Sequence, residues 1–286
     1  MKVNNIYTNQ QLINEAIKFN TRKRLGQNFL VDSDKLANIA NLLDVTQYNL
    51  IVEIGCGLGF LTRFLSNETI PTIAIDLDPR CVKYVNRLKL PLTTAIEANA
   101  LDFDFNKLAN KNIIIFGNIP YQITTPLIAH IFGELGSPKS WQTNIKTVVF
   151  TIQLEVAQRL LAKPGASDYS ALTILANYYN KISFVQEIKQ KYFYPSPKVN
   201  SATVLMQPVL DPELKIDNPN NLRKIVQLGF KQRRKMLKNT LASLNLGITQ
   251  IESIFQDLDI DLSARSQDLS LKQFNDLARM IFINKK

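Results

Sequence analysis

The sequence predicts an α/β fold with a mostly parallel sheet, followed by a small C-terminal all-helical domain. Three observations predict it. Short apolar runs rich in β-branched residues alternate with stretches of helical periodicity, which is the pattern of βαβ units. A glycine-rich turn follows the first of these runs, where a helix should open. Beyond Asp217 the chain becomes basic and helical, with no further strand signal.

Residues 1–21 are polar and Asn-rich, with Leu12, Ile13, Ala16 and Ile17 at helical spacing. They predict an N-terminal extension carrying a short or frayed helix and no chemistry. Arg22-Lys23-Arg24-Leu25-Gly26-Gln27-Asn28-Phe29-Leu30 joins a basic cluster to a Gly turn and an apolar anchor. One end can touch phosphate while the other docks on the core, although a solvated arm would look the same. Asp32 or Ser33 caps a helix whose apolar face is Leu36, Ile39, Ala40 and Leu43. Leu50–Ile54 is the first buried strand. Gly55-Cys56-Gly57-Leu58-Gly59 then brings backbone close to a ligand at the mouth of a helix opening near Phe60. A dinucleotide fingerprint needs its third Gly where Phe60 stands, which argues against a nicotinamide cofactor.

The second strand, Thr72–Asp76, ends in a carboxylate twenty-one residues after Gly55. That is the place of a residue accepting both hydroxyls of a ribose. Asp78 is the better cap for the helix at Pro79, which leaves Asp76 for the ligand. A third strand near Thr93–Ile96 leads to Asn99. Ile113–Gly117 makes a fourth, 126–135 a helix, and Thr147–Ile152 a fifth strand. Helices over 153–161 and 169–179 precede late strands at Ile182–Val185 and Thr203–Met206, which flank the loop from Phe193 through Pro195, Pro197 and Lys198. Residues 211–219 form a linker, so the domains are 22–210 and 211–286. No acidic residue stands between Asp217 and Glu252, while Arg223, Lys224, Lys231, Arg233, Arg234, Lys235 and Lys238 all do. A charge run is commonly a solvated face, but such runs usually mix signs, so this one points to nucleic acid.

Charge and residue counts narrow the function. Across 286 residues, 34 Lys and Arg against 24 Asp and Glu give a net charge of +10, which favours a polyanionic partner. No stretch reaches the roughly 20 apolar residues that span a bilayer, and no signal-peptide core opens the chain, so a cytoplasmic protein without membrane contact is expected. Two cysteines and one histidine are too few for a Cys/His metal site or a His-based triad, so no metal is expected.

Asn118-Ile119-Pro120-Tyr121 stands where the fourth strand opens into a loop, and strand ends are where open α/β sheets bind ligands. Pro120 fixes its own φ and holds Ile119 out of the helical region, so the acceptors at Asn118 and Ile119 keep fixed directions. An exocyclic amine on a nucleobase is a poor nucleophile because its lone pair is conjugated into the ring. Two acceptors aimed at its two hydrogens draw the nitrogen towards tetrahedral geometry and stabilise the positive charge that grows as it attacks a methyl group. Tyr121 can stack on the base. Taken alone, the tetrapeptide also suits an ordinary turn.

With those residues in view, the chain from about Arg22 to Ala278 resembles the small-subunit ribosomal RNA adenine N6,N6-dimethyltransferases. Leu25-Gly26-Gln27-Asn28-Phe29-Leu30 is similar to that family's N-terminal motif, with Leu25 where Phe is usual. Glu53-Ile54-Gly55-Cys56-Gly57-Leu58-Gly59 is similar to its glycine motif, and Asn118-Ile119-Pro120-Tyr121 to its catalytic tetrapeptide. Phe193-x-Pro-x-Pro-Lys198-Val199 and Phe230-x-Gln232-Arg233-Arg234-Lys235 extend the match. The resemblance implies a Rossmann-like S-adenosylmethionine-dependent methyltransferase domain acting on two adjacent adenosines in a hairpin loop near the 3′ end of small-subunit RNA, in ribosome biogenesis. It implies a monomer that takes the cofactor with Asn28, Leu30, Glu53, Gly55, Gly57, Asp76, Asn99 and Asn118. Tyr121 and Phe193 would sandwich the base gripped by Asn118 and Ile119, with Pro120 between them. Arg22, Lys23, Arg24, Lys198, Arg233, Arg234 and Lys235 would meet RNA. Asp76 stands where Glu is usual and keeps the charge. Asn99 stands where Asp is usual, which weakens the expected adenine contact. Two other functions share these features: a large-subunit adenine methyltransferase conferring antibiotic resistance, and a non-catalytic nucleic-acid-binding factor. The long basic helical domain favours the small-subunit substrate over the first. The intact glycine and Asn118 motifs favour catalysis over the second.

Overall fold

In the computed structural model, which describes residues 7–108, 110–244 and 246–283, the chain divides into two units. The first comprises the residues up to 131 together with 139–157 and 181–208, and the second 132–138, 158–180 and 209 onward. This differs from a single boundary at 210: residues 132–138 and 158–180 group with the C-terminal helices.

The chain opens with α1 (Asn9–Lys18), β1 (Phe29–Leu30), α2 (Ser33–Ala40), β2 (Leu50–Ile54), α3 (Thr62–Leu65), β3 (Thr72–Asp76), α4 (Pro79–Arg87) and β4 (Thr93–Glu97). There follow β5 (Ile113–Asn118), α5 (Thr124–Phe132), the short strands β6 (Gly133–Glu134) and β7 (Ser137–Pro138), β8 (Ile145–Gln153) and α6 (Leu154–Leu161). Next are α7 (Ala171–Tyr179), β9 (Asn180–Ile188), β10 (Phe193–Tyr194) and β11 (Ser201–Pro208). The chain closes with α8 (Pro219–Lys231), α9 (Leu237–Leu241), α10 (Ile248–Asp257) and α11 (Leu271–Ile283).

Seven strands form the central sheet in the order β4-β3-β2-β5-β8-β11-β9. The pairs from β4 to β8 are parallel, and β11 returns antiparallel on β8, so the sheet is mostly parallel as expected. Ile51, Val52 and Ile113 to Phe116 are fully buried, and each such side chain contributes about 1.5–3 kcal/mol of burial free energy. These runs have no polar side because the middle of a parallel sheet is covered on both faces. The neighbours of β2 are β3 and β5, and the strand order reverses there, which puts a ligand crevice at the carboxyl ends of these three strands.

The N-terminal segment is more than an extension. Residues 1–6 lie outside the described residues, but α1 begins with a Thr8–Gln11 capping box and buries Leu12 and Ala16 completely. Both terminal guanidinium nitrogens of Arg63 bond the Glu15 carboxylate, at 3.1 and 2.5 Å, and the Tyr84 hydroxyl donates to it at 2.6 Å. Asn9 Oδ1 accepts the Ser33 backbone N–H at 2.7 Å, so α1 also helps to cap α2, whose N-cap is Asp32.

In the second unit, Leu222, Ile225 and Val226 of α8 pack with Leu237, Leu241, Ile251, Phe255, Phe274 and Leu277. The amphipathic spacing expected of a helical domain is met.

Candidate active site

The cleft lies within the first unit. Its empty volume, counted out to open solvent, is about 1050 Å³, and its walls come from residues 24–29, the ends of β2, β3 and β5, and the 119–123 loop. At the end of β5, Ile119 donates its N–H to the Thr151 carbonyl of β8 at 3.0 Å, and Pro120 takes φ −54°. Asn118 Nδ2 donates to the Asn28 carbonyl at 2.9 Å. With one of its two N–H groups bonded there, the Asn118 amide is oriented so that Oδ1 remains an acceptor, as the sequence reading expects of it. Gly117 makes the close approach possible: a Cβ there would stand 2.7 Å from the Ile54 carbonyl oxygen.

Tyr121 is half-buried and shares a 2.8 Å hydrogen bond with the Ser201 hydroxyl. Burial raises its phenol pKa. Phe193 also lines the cleft, but it is 4 % exposed and packs in the core. It is therefore a wall of the site rather than an open platform. The ladder that pairs Phe29 with Tyr194 and Leu30 with Phe193 holds it against the N-terminal segment.

On the other side of the cleft, Asp76 Oδ2 accepts the Gly57 N–H and Oδ1 accepts the Asp78 N–H, both at 2.8 Å. Burial raises the Asp76 carboxyl pKa, and these backbone bonds oppose the rise. Each carboxylate oxygen retains acceptor capacity, so two ribose hydroxyls can still be bound. Asp78 caps α4 through the Arg80 N–H, as the sequence predicts. A Cβ on Gly57, at φ +53°, would stand 2.7 Å from Cε1 of Phe29, so the turn and the ring fit only with glycine. The glycine cradle beside a carboxylate with acceptor capacity to spare fits S-adenosylmethionine.

Three residues expected to contact the cofactor stand in more constrained surroundings. Leu30 and Glu53 line a small cavity that shares Phe29, Gly55 and Asn118 with the main cleft. Glu53 is 2 % exposed, and burial pushes its carboxyl up to about 8, helped by the nearby Asp76 charge. Asn99 lines the cleft, but its Oδ1 accepts the Leu101 N–H at 3.1 Å and its Nδ2 donates to Asp102 at 2.5 Å. Its amide is tied into a turn, with one acceptor position of Oδ1 left for adenine. Leu77, not singled out in the sequence, is 54 % exposed on the cleft between the two aspartates. An apolar side chain presented to solvent beside a ribose site is a surface for the flat face of an adenine. Its only mark in the sequence is a leucine set between two acids.

The cations sort into two groups. Lys23, Arg24, Lys198, Arg234 and Lys235 are exposed, as are Lys224 and Lys231. Arg22 lies 3.7 Å from Asp78. Arg233 is not part of the solvated face: its guanidinium bonds the Ser167 carbonyl and, at 2.9 Å, the Tyr169 carbonyl. Arg223 pairs with Glu134 and Lys238 with Glu252. The run of seven is thus opposed in part by acids and carbonyls from elsewhere in the chain. Among the described residues, no cluster of three or more His, Cys, Asp and Glu could hold a metal, and no helix is long and apolar enough to cross a membrane.

A mostly parallel sheet whose order reverses at β2, a glycine turn against the Asp76 carboxylate, and a cleft at the strand ends define the class of Rossmann-like S-adenosylmethionine-dependent methyltransferases. A family model described as ribosomal RNA adenine dimethylase matches residues 18–282, and the chain belongs to that family. It is 33% identical over 278 residues to ribosomal RNA small subunit methyltransferase A of Clostridium acetobutylicum, covering 96% of this chain and 98% of that one. Identity to the protein of the same name in Hahella chejuensis is 36% over 273 residues, covering 94% and 96%. Among solved structures, a dimethyladenosine transferase from Plasmodium falciparum matches with a TM-score of 0.69 and 25% identity, over 88% of this chain and 96% of that one. The 23S rRNA methyltransferase ErmE matches with a TM-score of 0.64 at 23% identity, over 88% and 98%, and shares the fold.

Proposed function

We propose that the protein uses S-adenosylmethionine to dimethylate the N6 amines of two adjacent adenosines in a hairpin loop near the 3′ end of small-subunit ribosomal RNA. The observation that carries this is the Asn118 amide, whose nitrogen is held by the Asn28 carbonyl so that its oxygen serves as an acceptor beside Ile119. When bound, S-adenosylmethionine supplies an electrophilic methyl group. Asn118 Oδ1 and the Ile119 carbonyl accept the two amine hydrogens and stabilise the charge that grows on nitrogen. Pro120 fixes their direction, and Tyr121 holds the base flat while Phe193 serves as a buried wall of the site. On the cofactor side, Asp76 takes the ribose, Gly55, Gly57 and Asn28 line its path, and Asn99 and Leu77 meet the adenine. Lys23, Arg24, Lys198, Arg234 and Lys235 supply phosphate contacts. Loop adenosines suit the chemistry because they are partly unstacked and cost less to flip. The near full-length likeness to proteins named for the small-subunit reaction supports that substrate over the large-subunit one. The protein acts as a cytoplasmic monomer on RNA or on a small-subunit precursor.

Primer extension on small-subunit RNA tests this. Dimethylation removes both N6 hydrogens and blocks the pairing edge, so reverse transcriptase should stop at the loop only after incubation with protein and donor. Full-length extension in the presence of both would overturn the assignment.

A further inference from the structure

The segment that forms the N-terminal wall of the cleft has no regular structure beyond one short turn at Lys23–Leu25 and the two residues of β1. Contacts on its two edges hold it. Towards the acceptor loop, the Asn28 carbonyl takes the Asn118 amide, and the Arg24 carbonyl takes Gln122 Nε2 at 3.2 Å. Towards the ribose side everything converges on one carboxylate. Gln27 Nε2 donates to Asp78 Oδ2 at 3.0 Å, while Gln27 Oε1 accepts the Arg22 N–H at 2.7 Å. The Arg22 guanidinium lies 3.7 Å from the same carboxylate. Arg80 bonds Asp78 at 2.6 Å through Nη2, donates through Nη1 to the Asn20 carbonyl at 3.0 Å, and stacks on Phe19. The Asp78 side chain is fully buried beneath these groups, and the Arg80 fork holds its pKa down to about 2. A helix N-cap needs one acceptor for one backbone N–H, so this array exceeds what capping α4 requires.

We infer that Asp78 is a positioning residue for the cofactor: its carboxylate latches residues 22–29 in place as one wall of the cleft. The inference rests on the proposed cofactor site. Asp76 and Asp78 sit on one turn, joined by the bond from Asp78 N–H to Asp76 Oδ1, with Asp76 lining the cleft and Asp78 beneath the arm. Occupation of the ribose site and closure of the arm therefore stabilise the same turn. The arm also carries Lys23 and Arg24, so the latch sets where two of its exposed cations stand.

Asp78→Asn keeps a good N-cap while removing the charge and one acceptor. Calorimetric titration with S-adenosylhomocysteine should show binding weakened about tenfold, from the loss of charge-assisted bonds that hold the wall. The turnover number at saturating donor should stay near the wild-type value while KM for donor rises. Trypsin should cut after Lys23 or Arg24 several-fold faster, and added S-adenosylhomocysteine should slow it. Gln27→Ala leaves the α4 cap whole and should also speed cleavage. Unchanged affinity in Asp78→Asn, with affinity lost in Asp76→Ala, would overturn the latch alone. Unchanged affinity in Asp76→Ala would overturn the cofactor site and the latch with it. Cleavage at the wild-type rate in both Asp78→Asn and Gln27→Ala would reduce Asp78 to a helix cap.

Discussion

Replacing Asn118 with Ala removes two interactions whose effects appear in different measurements. The first is the Oδ1 acceptor, which the proposed mechanism aims at the target amine. Deleting one preorganised contact of this kind costs about 3 kcal/mol of transition-state stabilisation, a loss of roughly a hundredfold or more in turnover. The second is the Nδ2 bond to the Asn28 carbonyl at 2.9 Å, a part-buried contact between segments 90 residues apart. Losing its donor costs about 1–3 kcal/mol. That cost falls on the seating of residues 24–29, so it shows in donor affinity and thermal stability. Single-turnover transfer of labelled methyl into small-subunit RNA measures the first effect, calorimetry with S-adenosylhomocysteine the second, and RNA affinity should barely change. Asn118→Asp separates them further. It restores an acceptor but sets a carboxylate against the Asn28 carbonyl, so it should remain well below wild type. Turnover of Asn118→Ala at half the wild-type value would refute the acceptor role.

Four further outcomes are expected. Reversing Arg234 and Lys235 to Glu should weaken RNA binding and flatten its salt dependence by about 0.7–0.9 per lost phosphate contact, whereas Arg233→Ala should lower the melting temperature, because it abandons two carbonyls; an unchanged salt slope in the first variant would make that face merely solvated. Tyr121→Ala should lose about 1–3 kcal/mol of base stacking, and Tyr121→Phe about 1 kcal/mol through the missing Ser201 bond; equal activity of the two variants would exclude stacking. Asn99→Asp should loosen donor binding, because it replaces the amide that donates to Asp102 with a second negative charge; tighter binding by calorimetry would show that the turn rearranges. Glu53, with its pKa raised to about 8, favours the folded state when protonated, so its contribution is lost as pH rises from about 4.5 through 8. The stability of Glu53→Gln relative to wild type in urea should therefore rise by up to about 5 kcal/mol across that range, and a constant difference would place Glu53 in contact with water.

Much of the scaffold was legible because its strands are short apolar runs between turn residues. Leu50–Ile54 and Thr72–Asp76 have the bounds expected of them, since each is a short, mainly apolar and buried run. The cap at Asp78 was legible too, because capping is local. Long-range polar pairing was not. Glu15 lies in an Asn-rich segment and gives no sign of Arg63 and Tyr84, which are 48 and 69 residues away. Arg233 looks like its neighbours Arg234 and Lys235 until the 165–170 segment brings carbonyls to it. Phe193 and Tyr121 are both aromatic residues within two positions of a Pro, and only packing separates a buried wall from a half-buried ring. The turn at Asn99 was hidden because its partner is an Asp three residues on, a spacing that many unpaired residues share.

If Asn118 and Ile119 grip the amine as proposed, the bond between Asn118 and Asn28 also makes the pocket a counter of hydrogens. Adenosine brings two N–H groups to two acceptors. The monomethyl intermediate brings one, so it must turn its methyl group away from an oxygen and is gripped by a single bond of about 1 kcal/mol. The dimethyl product brings none, and neither Asn118 Oδ1 nor the Ile119 carbonyl has anything left to hold. An amide free to rotate could offer its NH2 to such a product instead. Held by the Asn28 carbonyl, Asn118 cannot, so each transfer loosens the base that received it and the finished nucleotide is the species the site retains least.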